Sequence, residues 1–583
     1  MSNPFSTVTG LKPRRSRFNL SYGKAFDCDM GQLIPTMTKY MYPGDIFDLR
    51  QELVARPIAP LRTSAFAQLD VHSYCFFVPL RLLFGTMSGS GLEANWEVND
   101  HDFEKFITGG VSGNVTVSLP RWSLNPLDRP VVNDNWNGIP SGTTGSNADW
   151  PNVTTTENGK YSLWDYLGFP VGVKPTNSAR PLDFFKRSYN LIYNEWFRDR
   201  NVMPPVNVAT SDIVLNACWK KDYFTSMLPW PQRGNPIGIP ISGTAPISLN
   251  LPAMAPVLQS SGATVNPGQL ISFISGSDRV LGRTLSSDSS KLYDYSGREI
   301  ANGSSPSPFV ADLSGITGSA DVSLAATFSV NDLRLAFQMQ RWMEISAKVG
   351  SRYVEYLKGM YGTSPTDDTL QRPMFIGGSK SPIIISEVLQ TSEGGSGVGT
   401  IAGHAISADG NKITRFRANE FGVIMCLMCI KPKAMYGQGI DRENLYKTRY
   451  DFLNLAFVNL GEQDVYAAEL LTVDGNNTED GTLNTDMKKI GFQGRYNELR
   501  TSYDQVCGGL RDQLSYWAMV RKFSTVPELN GQFLKCNPNK DLFVVKDEPA
   551  FVVYVNNKLI AYRPLPVEAQ PGLIDHVYGE RRR

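Results

Sequence analysis

Histidine, the commonest proton-transfer residue, is scarce in this chain: His72, His101, His404 and His576 are the whole supply. None has another His or a Cys at metal-ligand spacing. Cys426 and Cys429 imitate half a zinc site, but no second C-x-x-C exists, and residues three apart on a strand point to opposite faces. Both are expected to be buried structural thiols. Asp27/Asp29, Asp367/Asp368 and Asp547/Glu548 are carboxylate pairs of the kind glycosidases use. Together with the many aromatics they motivate one alternative, a β-rich carbohydrate-binding or carbohydrate-hydrolysing protein. No sequence feature places either member of a pair on a substrate, and His101-Asp102 is equally unsupported. The glycine-dense segment 394–403 (GGSGVGTIAG) lacks the dinucleotide fingerprint, and neither a Walker motif nor a G-x-S-x-G elbow occurs. The expectation is a non-enzymatic protein with no cofactor and no metal.

Two groups of charges suggest binding. Lys12, Arg14, Arg15 and Arg17 cluster among Pro and Ser ahead of any periodic segment. They read either as an arm neutralising phosphates or as an ordinary solvated terminus. Arg581, Arg582 and Arg583 carry the same ambiguity. Asp278, Arg279, Arg283, Asp288, Lys291, Asp294, Arg298 and Glu299 mark an exposed tip within a segment otherwise poor in charge. The whole chain has 57 Lys and Arg against 56 Asp and Glu, so no global field aims it at nucleic acid or a membrane.

The elements that must position these groups are mostly strands. The 583 residues include 51 Gly, 37 Pro and 11% aromatics, a mixture that suits a rigid, loop-heavy β-architecture. The start lacks the apolar run of a signal peptide, and the longest apolar segment, 421–430, is far too short to span a bilayer. Seven mostly isolated cysteines favour a reducing compartment over a disulfide framework. The chain therefore reads as soluble, made in a cytosol and without membrane insertion.

Residues 32–42 read as extended and close on the turn Pro43-Gly44-Asp45. Residues 69–84 form the strongest strand candidate, with Val71, Ser73, Cys75 and Phe77 on one face and His72, Tyr74 and Phe76 on the other. Buried strands are expected from Ile383-Ile384-Ile385, 421–430, 452–457, 465–473 and 551–560. Between 107 and 160 lies a long Gly/Asn/Ser/Thr/Pro loop. A helix follows near 181–198, with Leu182, Phe185, Tyr189, Ile192, Tyr193 and Trp196 as its core stripe. Alternating runs between 232 and 330 read as a β-meander inserted between two halves of the chain. From 331 to 361 the spacing predicts one long helix, capped by Asn331 or Asp332, with Leu333, Ala336, Phe337, Met343, Ala347, Gly350, Val354 and Leu357 on its apolar face.

A series of segments resembles the major capsid protein of microviruses, the small circular single-stranded-DNA bacteriophages, and most closely their gokushovirus branch. In chain order these are Pro43-Gly44-Asp45, 76–83 (FFVPLRLL), 189–199 (YNLIYNEWFRD), 228–234 (LPWPQRG), 331–338 (NDLRLAFQ), 370–373 (LQRP), 460–463 (LGEQ) and 571–576 (PGLIDH). The resemblance implies a mainly β fold, an eight-stranded antiparallel jelly roll of viral-capsid type with long loop insertions and a few helices. It implies pentamers and a sixty-copy T = 1 icosahedral shell around circular single-stranded DNA. An internal scaffolding protein, a DNA pilot protein and a bacterial surface receptor are the further partners, with assembly in the host cytoplasm and residence in the virion. The implied organisation is a basic arm (1–20), the first part of the shell domain (21–231), a surface protrusion at the threefold axes (232–330), the remainder of the shell domain (331–562) and an extended tail (563–583).

Overall fold

The computed structural model describes residues 15–110, 117–122, 161–170, 180–235, 330–389, 401–472 and 487–567, less 64 and 67, with short strands between 244 and 321. The chain forms two compact units, residues 1–235 with 342–583, and residues 236–341. In the second unit, Leu270–Ser275, Asp278–Leu285, Lys291–Tyr293 and Glu299–Asn302 make a four-stranded antiparallel meander. Two separate two-stranded ladders pair Thr244–Ser248 with Thr317–Asp321 and Ala255–Pro256 with Val310–Ala311.

The first unit is built on nine antiparallel strands: β1 (Ser16–Asn19), β2 (Tyr22–Cys28), β3 (Ile34–Met41), β4 (Ile46–Pro57), β5 (Leu69–Pro79), β6 (Met374–Leu389), β7 (Ile401–Arg417), β8 (Gly422–Pro432) and β9 (Phe551–Arg563). Their order is β1-β9-β4-β7-β6-β5-β8-β3, and β2 also pairs with β9. Local sequence explains the positions. In β9 every second residue from Phe551 to Ala561 is buried, the pattern of a strand with one wet face. In β8 nearly every residue is buried, as a strand covered on both sides requires.

β6 and β7 each change partner partway along. β6 leaves β5 at Ile383 and continues against β7, and β7 passes from β6 to β4 at Ser407. The sheet therefore has two halves, β6-β5-β8-β3 and β7-β4-β9 with β1 and β2. Their inner faces share one apolar cluster, in which Met37, Met41, Cys75, Phe77, Ile424 and Cys426 of one half meet Phe47, Leu49, Leu559 and Ala561 of the other. Within this interior Gln51 of β4 donates to Thr36 Oγ1 at 3.0 Å and Asn557 Oδ1 at 2.7 Å. It also accepts from Ser73 Oγ at 3.0 Å. All four side chains are buried, so their hydrogen bonds are made to one another or to backbone.

The structure corrects several expectations. Cys426 is not a free thiol: it is disulfide-bonded to Cys75, its opposite neighbour in the β5–β8 ladder. The two lie 351 residues apart in the chain, which is why spacing could not reveal the pair. Cys429, on the other face, is a free buried thiol. The long helix is two, α2 (Val330–Val349) and α3 (Tyr353–Tyr361). They break at Gly350, whose φ of +106° suits glycine and where a Cβ would run into the Glu355 carboxylate. Asn331 lies inside α2 rather than at its cap, and Phe337 is 61% exposed. Residues 452–457 form a turn and a 3-10 segment, not a strand, with Leu455 83% exposed. Ile384, expected in a buried strand, is 65% exposed beside buried Ile383. The helix after residue 180 is α1 (Phe184–Ile192), and its Tyr189 hydroxyl donates to the Leu33 carbonyl at 2.8 Å. Residues 107–160, 394–403, the tail 563–583 and Arg581–Arg583 fall wholly or mostly outside the described residues.

Replacing Gln51 by Leu leaves the Ser73 and Asn557 side chains short of partners in a dry interior. The expected loss is about 1–3 kcal/mol of stability, read as a lower denaturant midpoint. An unchanged midpoint would mean that the cluster contributes nothing.

Candidate functional site

Three pieces of the first unit converge on the faces of β5 and β6 that point away from the inner apolar layer. The first is the end of α1. Its chain continues as a π-type turn, Tyr193–Phe197, which delivers Trp196, Phe197 and Arg198 in succession. Phe197 meets Tyr74 edge-on at 5.1 Å, and Trp196 lies 5.5 Å from Phe76. The Trp196 indole N–H donates to the Pro373 carbonyl at 3.0 Å, and the Arg372 guanidinium covers its ring at 4.5 Å.

The second piece is an irregularity in β6. The register with β5 shifts between Phe375 and Gly377, so one extra residue re-aims the strand. Phe375 stands 5.5 Å from Phe76 and 5.7 Å from Trp196, yet 44% of it is exposed. The third piece is the break between α2 and α3. Arg352 donates to the carbonyls of Arg198 at 2.7 Å and Asn194 at 3.3 Å. Ser351 accepts from Arg233 at 2.6 Å and donates to Asn201.

Together they line a half-open cavity of about 720 Å³. Its walls include Arg198, Arg200, Lys221, Lys348, Arg352 and Lys431, against the carboxylates Asp199 and Glu355. Lys221 pairs with Asp199 at 2.8 Å, Arg352 with Glu355 at 3.4 Å, and Lys348 with Glu462 at 3.3 Å. Among the described residues Arg200 and Lys431 have neither an ion pair nor a hydrogen-bonded side-chain partner. Arg198 is only 4% exposed; it donates to the Met203 carbonyl at 2.8 Å, and its Nε has no partner. Burial, with Arg200 and Arg352 close by, lowers its pKa to about 10, so it stays charged at neutral pH. The cavity thus offers uncompensated positive charge beside exposed aromatic surface, a combination that receives an anion carrying a flat ring.

The structure does not bring the residues singled out from the sequence into this cavity. Lys12 and Arg14 lie outside the described residues; Arg15 and Arg17 are exposed. Arg17 belongs to β1 and sits opposite Tyr562, so this member of the basic cluster is part of the first strand. Asp278, Arg279 and Arg283 lie in Asp278–Leu285, Lys291 in Lys291–Tyr293 and Glu299 in Glu299–Asn302. Asp288, Asp294 and Arg298 lie outside the described residues. Two of the carboxylates considered for catalysis are committed elsewhere, Asp29 to Lys540 and Asp367 to Arg372, each at 2.7 Å. Among the described residues no three His, Cys, Asp or Glu side chains gather to hold a metal. Spacing along the chain does not reveal the cavity, because its lining runs from Tyr74 to Lys431, 357 residues apart. The signal that could have found it is the juxtaposition of two rings and two arginines in Trp196-Phe197-Arg198-Asp199-Arg200.

His72 of β5 stacks on the cavity residue Tyr74. Burial first, then Lys431, Lys380 and Lys220, lower its pKa to about 4 against the opposing pull of Asp70. A folded-state value below the ordinary one of about 6.5 means stability is present above pH 6.5 and is lost as pH falls toward 4. His72→Phe should therefore flatten the fall of Tm between pH 6.5 and 4; an identical slope would refute the assignment.

The family described as capsid protein (F protein) matches residues 6–104 and 131–573 of the chain. The chain is 29% identical to the capsid protein VP1 of Chlamydia phage 1 over 98% of each chain. It is 28% identical to the capsid protein VP1 of Bdellovibrio phage phiMH2K, over 94% of this chain and 92% of the relative. It is 26% identical to the capsid protein VP1 of Spiroplasma virus 4, over 98% and 97% respectively.

Proposed function

The chain belongs to the capsid protein (F protein) family, and from that premise we propose that it builds the shell of a microvirus of the gokushovirus branch. It is a capsid protein, structural and not enzymatic. The observation that carries the finer reading is the nearly end-to-end similarity to phage VP1 proteins at both ends and through the middle of the chain. A domain inserted into an unrelated protein would match only in part.

In this reading pentamers assemble into a sixty-copy T = 1 shell around circular single-stranded DNA, in the cytoplasm of a bacterial host and with an internal scaffolding protein and a DNA pilot protein. The shell domain is a jelly roll. Its support is the antiparallel pairing throughout the main sheet and the shared interior of its two halves, which is how such folds leave few exposed edges. Residues 232–330 form the protrusion at the threefold axes that meets the host receptor, with Asp278 to Glu299 toward its tip. Lys12, Arg14, Arg15 and Arg17 neutralise genome phosphates irrespective of base sequence.

Electron microscopy of particles from expressing or infected cells tests the proposal. Icosahedral shells holding nuclease-resistant circular single-stranded DNA are expected, and a chain that remains monomeric in infected cells would overturn it. Changing Lys12, Arg14, Arg15 and Arg17 together to Ala should lower the DNA content per particle while leaving particle yield and Tm unchanged. Full genome content in those particles would remove the arm from the reading.

A further inference from the structure

We propose that the cavity lined by Phe375, Arg200 and Lys431 binds one nucleotide of a single-stranded polynucleotide, the base against Phe375 and the phosphate on the two cations. This rests on the reading that the shell encloses single-stranded DNA, and it names a site for that strand away from the N-terminal arm.

The cavity, about 720 Å³, has the volume of a small-ligand pocket. Its polar groups divide into fixed and available ones. Arg352 is held by two backbone carbonyls and Glu355, and Lys221 by Asp199 and the Thr225 carbonyl. Arg198 is buried behind them, so its charge contributes to the local potential without being able to leave. Arg200 and Lys431 are partly exposed and uncommitted, which makes them the groups able to accept a new anion.

The aromatic side divides in the same way. Trp196 is covered by Arg372, and Phe76 and Phe197 pack on each other and on their neighbours. Phe375 is anchored at one edge by Phe76 and Trp196 and still shows nearly half of its surface, at 44%. A ring presented beside free cations stacks a base that has left its own stack, so the ligand is a single strand rather than a duplex.

Other ligand classes fit less well. An apolar ligand would bury Arg200 and Lys431 without a counter-charge. An acidic peptide would satisfy the cations and leave Phe375 without a partner. Asn201 in the lining already accepts from Arg233 and Ser351, and Ser226 is engaged by Gln493 and the Asp222 carbonyl, so binding should tolerate any base and weaken with salt.

The test is ultraviolet cross-linking of intact DNA-containing particles, with peptide mapping by mass spectrometry. Nucleotide adducts are expected on the peptides carrying Phe375 and Trp196–Arg200. Arg200→Gln with Lys431→Gln should cut their yield by roughly fivefold or more, the scale set by lost stacking and phosphate contacts. If the double variant yields no particles, Phe375→Leu serves instead: adducts on the Trp196–Arg200 peptide should fall, and Phe375→Tyr should restore them. Adducts confined to other peptides, in particles that hold their genome, would overturn this inference and leave the capsid reading standing. Particles without nuclease-resistant DNA would overturn both.

Discussion

The hydrogen-bonded meeting of Gln51, Thr36, Ser73 and Asn557 is the constraint around which the first unit is arranged. Apolar contacts across the interior are tolerant of sliding, because Leu, Met and Phe side chains repack with modest loss. A buried amide is not tolerant: a shift of one residue along β4 would turn Gln51 to the opposite face and leave its partners unsatisfied. The cluster therefore sets the register of β4 and β9 against β3 and β5, and those four strands carry everything else. At the end of the same interior Arg563 of β9 pairs with buried Asp45 at 3.1 Å and donates to the Tyr40 carbonyl at 3.0 Å. That contact holds the Pro43-Gly44-Asp45 turn against the last residues of the sheet.

With the inner face occupied by packing, chemistry moves to the outer one. Tyr74 and Phe76 alternate with Ser73, Cys75 and Phe77, so the strand that closes the interior also floors the cavity. Each wall is a place where regular structure is interrupted: the π-type turn after α1, the register shift in β6, and the break at Gly350. Such interruptions free side chains and backbone carbonyls that a continuous helix or ladder would have used. The carbonyls of Asn194 and Arg198 bind Arg352, which ties the third wall to the first, and Trp196 ties the second to the first through the Pro373 carbonyl and Phe375.

Strands with a strong period were legible. The strands read at 69–84, 421–430 and 551–560 each correspond to a strand of the main sheet, the last with one wet face. Where the period was ambiguous the reading failed. Phe452, Leu453 and Leu455 look like a buried strand but are exposed on a turn, since apolar content alone does not say what covers it. The helix from 331 was real, yet its end was misjudged, because a helical stripe passes through Gly350 without recording that its φ is positive. Membership of the capsid protein family agrees with the non-enzymatic expectation, but the cavity went unread although Trp196 to Asp199 lie in one of the segments that carry the family resemblance.

By itself the amino-acid order determined that this is a mainly β chain with few helices and that it resembles capsid proteins. Both follow from local period and from motifs spread along the whole length, which survive without knowledge of contacts. Only the tertiary structure decided which cysteines meet, which apolar residues stay wet, and which cations keep no partner. Cys75 and Cys426, or Phe375 and Trp196, are neighbours because β5 pairs with β8 and β6 and because α1 ends over them. Those pairings join residues 351 and 179 positions apart, and no spacing within the chain encodes them.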